Sequence, residues 1–383
     1  MEVPPILLMI LVNFSAALMV TTSLNVEVGL LGIPQFGRLL TVVTGAVVAA
    51  AVPGRILAAL LGMPWGSNYA YHLYNYGVVT AINSWLAERP LASVATLLFT
   101  LVLSAVIGAL VGYACSYPAL RLREAYLGIT LLAFGDLLVT VAKNYVPLAG
   151  GTMGVIVIDP FRFVGAGQSR FLFATSVFLL FAVATLIYAE LLVRSPLGRT
   201  LKAARDSEVA ASVFGKDVVK LRKQVLMIGG ALAAMAGALW ALYTGSFMAD
   251  TYTRLTWTFW PWAFMMLGGT GNNIGILLGV VLYTLTRTAI FLYKGAIASI
   301  VGINPEWLEY IMIGAMILAV VLFRPQGLLP ERPTLTLSRE RIEELAGLIA
   351  TRGDGGGRSM IRRLSSYLSR LARLERSPQK TDE

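Results

Sequence analysis

Nine apolar runs dominate the chain, near residues 4–22, 38–62, 92–118, 125–147, 171–194, 226–246, 254–270, 272–293 and 307–324. A helix of about 20 apolar residues is as long as the hydrocarbon core of a bilayer is thick. The chain is therefore read as all-α, a polytopic transmembrane helical bundle of about nine spans, with eight to ten as the bounds. The 254–270 run is short for a span and is expected to be re-entrant or broken. Only 14% of the 383 residues are charged, against about 25% in a soluble domain. Lipid contact explains the deficit, because charge is excluded from hydrocarbon. The chain begins Met1-Glu2-Val3 with no basic region, so the first run is read as a span and not as a cleaved signal peptide.

Charge then orients the bundle. Arg194 to Lys223 holds eight basic residues against three acidic ones, and the link at 121–124 and the tail after Arg324 are basic on the same side. Basic loops stay inside, which predicts a plasma-membrane protein with its N-terminus outside and its C-terminus cytoplasmic. The net charge of +10 suits anionic lipid, not a nucleic-acid groove. Cys115 is the only cysteine and His72 the only histidine, which leaves no disulfide and no Cys/His metal cluster. Paired catalytic carboxylates are also absent, so the chain is not read as an enzyme.

Within the runs, small residues recur every four positions: Gly229, Ala233, Gly237 and Ala241 in one, Gly271, Gly275 and Gly279 in another. Such stripes let helix backbones approach closely. Tyr69, Tyr71, His72, Tyr74 and Tyr76 fall in the outer loop 63–91 and read as an interfacial aromatic belt or as a docking surface. Asp136, in the middle of the fourth run, needs a partner or a wet cavity, and Lys143 and Arg287 are the candidates. Two glycine-rich breaks, Gly150, Gly151, Thr152 and Gly154 in one, Gly268, Gly269 and Gly271 in the other, lack the Gly-Lys-Ser/Thr ending of a phosphate loop. They read as turns or, with Asp136, as parts of a translocation path.

The loop 195–224 is predicted to fold as a helix pair. Ser195-Pro196 is an N-cap followed by proline at N1. The helix is expected to reach Arg205, with Asp206 capping a second, short helix that ends at Gly215. That second helix carries Ala210, Ala211, Val213 and Phe214 where an exposed loop should be polar, so something must cover it.

"EVAASVFG" (208–215) resembles the E-A-A…G loop of ABC-importer permeases. In order along the chain, "PALRLREAYLGITLLAFGDLLVTVAKNYVPLAGGTMGV", "SPLGRTLKAARDSEVAASVFGKDV", "AGALWAL", "MMLGGTGNNIGILLG" and "LFRPQGLLP" resemble the branched-chain amino acid permease family over 117–330. The N-terminal "GLLGIPQFGRLLTVVTGAV" keeps the family's glycines and Phe36 but lacks its histidine. The resemblance implies a permease subunit of an ATP-driven importer of branched-chain or related amino acids. Its coupling helix (Glu208, Ala210, Ala211, Phe214, Gly215) would dock on a separate cytoplasmic ATPase. It further implies a second permease chain in a heterodimer and an extracytoplasmic solute-binding protein, with ATP and Mg held only by the partners and no cofactor here. Urea, amides or sugars are alternative cargoes, and an ion-coupled secondary transporter or channel using Asp136 and Lys143 is the alternative mechanism.

Two domains are expected: a permease domain over 1–330 and a cytoplasmic tail over 331–383. In the tail, Ile361, Leu364, Leu368 and Leu371 share one helical face among arginines, the pattern of a basic amphipathic helix on anionic lipid.

Overall fold

The computed structural model describes residues 4–63, 67–122, 124–301, 305–323 and 326–331. The predicted tail helix lies outside the described residues. The helices run α1 (Pro5–Leu31), α2 (Arg38–Leu60), the single turn α3 (Ser67–Ala70), α4 (His72–Ala87), α5 (Pro90–Arg121), α6 (Glu124–Asn144) and the single turn α7 (Val146–Ala149). They continue with α8 (Gln168–Arg194), α9 (Pro196–Asp206), α10 (Glu208–Val213), α11 (Val218–Thr244), α12 (Trp260–Gly268), α13 (Asn273–Val301) and α14 (Pro305–Phe323). Two short strands, β1 (Val155–Ile156) and β2 (Ser246–Phe247), pair antiparallel beyond the ends of the long helices.

Seven helices among the described residues are long and apolar enough to cross a membrane: α1, α2, α5, α6, α8, α11 and α13. The 254–270 run is not broken but is a short, uninterrupted helix over 254–268. A five-residue π-helix, Leu255–Phe259, leads into the nine residues of α12, together about 20 Å of helix against a hydrocarbon core of about 30 Å.

α11 is the axis, packed along α5, α2 and α1. Its glycine stripe does what small residues do in lipid. A Cβ built on Gly237 would lie 2.0 Å from the Val42 carbonyl oxygen, and one on Gly45 of α2 would lie 1.8 Å from that of Ala234. The backbones touch, so van der Waals contact replaces the hydrophobic drive that lipid removes. α5 meets α11 in the same way at Gly108 and Gly112 and turns Leu98, Val102, Val106 and Leu110 outward, an apolar face suited to lipid. The second stripe is shorter than expected. Gly271 sits in the turn before α13 at φ +84°, and only Gly275 and Gly279 pack on α12.

The outer segment departs from the belt pattern. Most of it is helical, and Tyr69 is 1% exposed, seated where Gly54 leaves room. Tyr71, Tyr74 and Tyr76 remain exposed. Burial holds the phenols of Tyr69 and of Tyr252, on the α11–α12 connection, above the ordinary tyrosine range.

Two glycines test the packing. Gly45→Ala must push α2 off α11 and should cost about 1–3 kcal/mol or more, read as a lower melting temperature of the purified protein. In α4, Gly77 has open space for a Cβ, so Gly77→Ala should be neutral or stabilise by up to about 1 kcal/mol.

Candidate functional site

Three polar constellations interrupt the apolar bundle. The first is the helix pair between α8 and α11. Ser195 caps α9, its Oγ accepting from Gly198 N at 3.1 Å, with Pro196 at the first helical position. Leu201 and Ala204 are buried on its inner side. α10 is capped by Ser207, whose Oγ accepts from Ala210 N at 3.2 Å, and not by Asp206. Asp206 stays helical as the last residue of α9, because the extended backbone needed for a cap falls one residue later. Gly215 takes φ +73° and lets Lys216 N reach back to Ala211 O at 3.0 Å, closing the helix. The five residues expected to form the coupling helix divide by direction. Ala211 is buried, Glu208 pairs with Arg222, and Ala210 and Phe214 face out. Val209, Val213 and Phe214 are each at least 75% exposed and form an apolar face on a charged end of the molecule.

The two glycine breaks are not brought together. Gly150, Gly151 and Gly154, all at positive φ, make the turn into β1, with Thr152 exposed, at the end of the bundle away from α10. Gly268, Gly269 and Gly271 make the α12–α13 turn at the α10 end. There Gly271 N donates to Asn25 Oδ1 at 2.8 Å, Asn25 Nδ2 donates to Asn273 Oδ1 at 3.0 Å, and Asn273 Nδ2 donates to Glu190 Oε2 at 3.0 Å. This polar chain ties α1, the turn and α8 at one level.

The second constellation is the polar face of α6. Asp136 pairs with Arg254 at 2.9 Å and Lys143 with Asp250 at 2.7 Å. Asp136 and Lys143 do not pair with each other. Two helical turns separate them by about 10 Å, beyond ion-pair reach, whereas the connection from β2 to the π-helix lies alongside. All four side chains are 40–56% exposed.

The third is the one that sequence reading missed. Arg38 Nη2 lies 2.7 Å from Glu27 Oε2, with side-chain exposures of 0% and 1%. Arg38 Nη1 donates to Gly229 O at 3.0 Å. A Cβ on Gly229 would fall 1.9 Å from Glu27 Oε1, so the glycine makes the space for the carboxylate. α1 runs on to Leu31, nine residues past the predicted end of the first span, and α2 starts inside the bundle. The signal was present as one acid and one base flanking "GLLGIPQFG". Around them, Leu39 N donates to Thr258 Oγ1 at 3.0 Å, Trp262 Nε1 donates to Gln35 O at 2.9 Å, and Phe36 stacks on Trp262 at 4.5 Å.

No group of three His, Cys, Asp or Glu suited to a metal occurs among the described residues. Membrane-length helices around a glycine-packed axis, with a capped helix pair offering an apolar face at one end, define a multi-pass membrane protein of the permease type. A family profile described as branched-chain amino acid transport system / permease component matches residues 6–321, and the chain belongs to that family. It is similar to a Methanocaldococcus jannaschii protein named probable branched-chain amino acid transport permease protein LivM, 35% identical over 346 residues that cover 88% of this chain and 98% of the relative. The high-affinity branched-chain amino acid transport system permease proteins LivM of Salmonella typhimurium and Escherichia coli are 27% and 26% identical over 310 residues, covering 73% of this chain and 66% of each relative. No solved structure gave a significant match.

The buried pair supplies a stability test. Arg38→Leu strands a buried carboxylate and should cost about 3–5 kcal/mol. Glu27→Gln with Arg38→Leu should cost less than the single change, read by thermal unfolding of the purified protein.

Proposed function

We propose that this chain is the membrane subunit of an ATP-driven importer that carries branched-chain amino acids into the cell. It does no covalent chemistry. ATP is bound and hydrolysed by partner subunits, and a solute-binding protein on the far side delivers the cargo. The observation that carries this reading is the exposed apolar face of α10, Val209, Val213 and Phe214, on a short helix that is rigidly capped at both ends. An apolar patch on a charged end marks a protein contact, and a groove on the ATPase is its occupant. The basic residues of 194–223 support reading this end as cytoplasmic and the N-terminus as outside. The basic sequence after Glu331 is read as a cytoplasmic tail whose composition suits the anionic inner leaflet.

The substrate path is assigned to the polar face of α6. Half-exposed ion pairs on a membrane-length helix are costly against lipid, so this face borders water and a second, different permease chain. The Asp136–Arg254 and Lys143–Asp250 pairs suit a zwitterionic cargo, whose opposite charges are passed along a surface that is neutral overall. The glycine turns at 150–154 and 268–271 stand at the two ends of the route.

The complex reconstituted in vesicles, with L-leucine as cargo, tests both parts. Val213→Glu with Phe214→Glu should release the ATPases on purification and cut ATP-dependent uptake by about tenfold or more. Retained ATPases with normal uptake would refute docking through α10. Asp136→Asn should slow uptake several-fold while the ATPases stay bound. Unchanged uptake would remove α6 from the path.

A further inference from the structure

We infer that Glu331 is the positioning residue through which movement of α9 and α10 also reaches the α12–α13 turn of the membrane bundle. This rests on the reading of α10 as the ATPase contact and goes beyond it, because α10 packs only lightly on α9 and α11. Beside the buried Leu201 and Ala204, the basic side chains of α9 converge on a single carboxylate. Lys202 Nζ lies 2.7 Å from Glu331 Oε1, and Arg205 Nη1 lies 2.8 Å from Glu331 Oε2. The three side chains are only 12–26% exposed, so solvent screens them little. Arg205 also donates to the Gly29 carbonyl near the end of α1, and Asp206 Oδ1 stands 3.3 Å from its Nε.

The carboxylate is anchored on its other side. Leu328 N donates to Leu267 O at 2.9 Å and Leu329 N to Gly268 O at 3.0 Å. Asn272 Nδ2 reaches the carbonyls of Leu329 and Pro330, each at 3.3 Å. Residues 326–331 are thus a strap laid on the α12–α13 turn, and Glu331 is its free hand on α9. Gly271 gains a reason here. A Cβ at that position would sit 2.8 Å from Glu331 Oε2 and 3.4 Å from Arg205 Nη1, closing the space that the clasp occupies. The same turn hangs from α1 through Asn25 and from α8 through Asn273 and Glu190. α9 packs on α1 and α8 directly, and Glu331 adds the side-chain link by which a displacement of α9 also reaches the α12–α13 turn.

The test uses the whole complex in vesicles, with L-leucine presented by its binding protein, and reads bound ATPase, ATP hydrolysis and leucine moved per ATP. Glu331→Gln keeps the shape and removes the charge. The ATPases should stay bound and hydrolysis should change little, while leucine per ATP falls by about tenfold. Glu331→Asp should regain part of the loss, and Lys202→Met, which leaves Arg205 in place, should give a smaller loss. An unchanged leucine-to-ATP ratio in Glu331→Gln overturns the inference. If that variant does not assemble, Lys202→Met decides by the same ratio. The Val213→Glu/Phe214→Glu protein is run alongside. Release of the ATPases by it, with normal coupling in Glu331→Gln, removes the clasp alone; retention of them removes the docking reading.

Discussion

The interior of this permease is organised around one ion pair, Glu27 with Arg38, closed off from solvent where α1 stops and α2 begins. A charge taken out of water costs several kcal/mol even after relaxation. The pair is tolerable only because each member has the other, because Arg38 finds the Gly229 carbonyl, and because Gly229 itself has no side chain to exclude the carboxylate. The consequence is topological. Residues 32–37 are not an ordinary surface loop between two spans but a crossover held within the bundle, and α2 is packed on nearly every side.

Once the crossover is fixed, the short helix at 255–268 has a role beside it. Irregular backbone inside a membrane protein needs partners for its free N–H and C=O groups. The short helix supplies two of them with side chains: the Thr258 hydroxyl accepts from the Leu39 N–H, and the Trp262 indole donates to the Gln35 carbonyl. The Phe36–Trp262 stack closes the contact. Residues 255–268 stay helical and keep their own backbone bonds, and it is their side chains that satisfy the non-helical chain before α2.

What could be read from the sequence was what depends on near neighbours. Apolar runs located the membrane helices, Ser195-Pro196 located the start of α9, and Gly215 located the end of α10. Even there a one-residue slip from Asp206 to Ser207 shows how evenly two capping residues compete when they are adjacent. The polar pairs were not legible. Asp136 and Lys143 look like partners because they share a face, yet the chain brings up Arg254 and Asp250 from more than a hundred residues away. Glu27 and Arg38 drew no reading, because Glu27 falls in the gap between two apolar runs and Arg38 at the start of the second. Tyr69 read as a member of an aromatic cluster, and only the absence of a side chain at Gly54 buries it. Periodicity reports which face of a helix is apolar; it does not report which distant segment arrives to complete that face.

The distribution of charge then has a mechanical meaning. Between helices α2, α5 and α11 the glycines bring backbone onto backbone, which leaves little room for sliding without separation. That core behaves as one body. Polar and ionic contacts gather where elements join: Glu331 on α9, the asparagine chain at the α12–α13 turn, and the α6 face toward the 250–254 connection. Ion pairs that keep some exposure can exchange partners with water or with a charged group at modest cost, whereas a glycine-packed seam cannot be reformed one contact at a time. A permease must move some parts relative to others, and its movable joints are therefore expected where its half-buried charges lie, with the fully buried Glu27–Arg38 pair on the side that does not move.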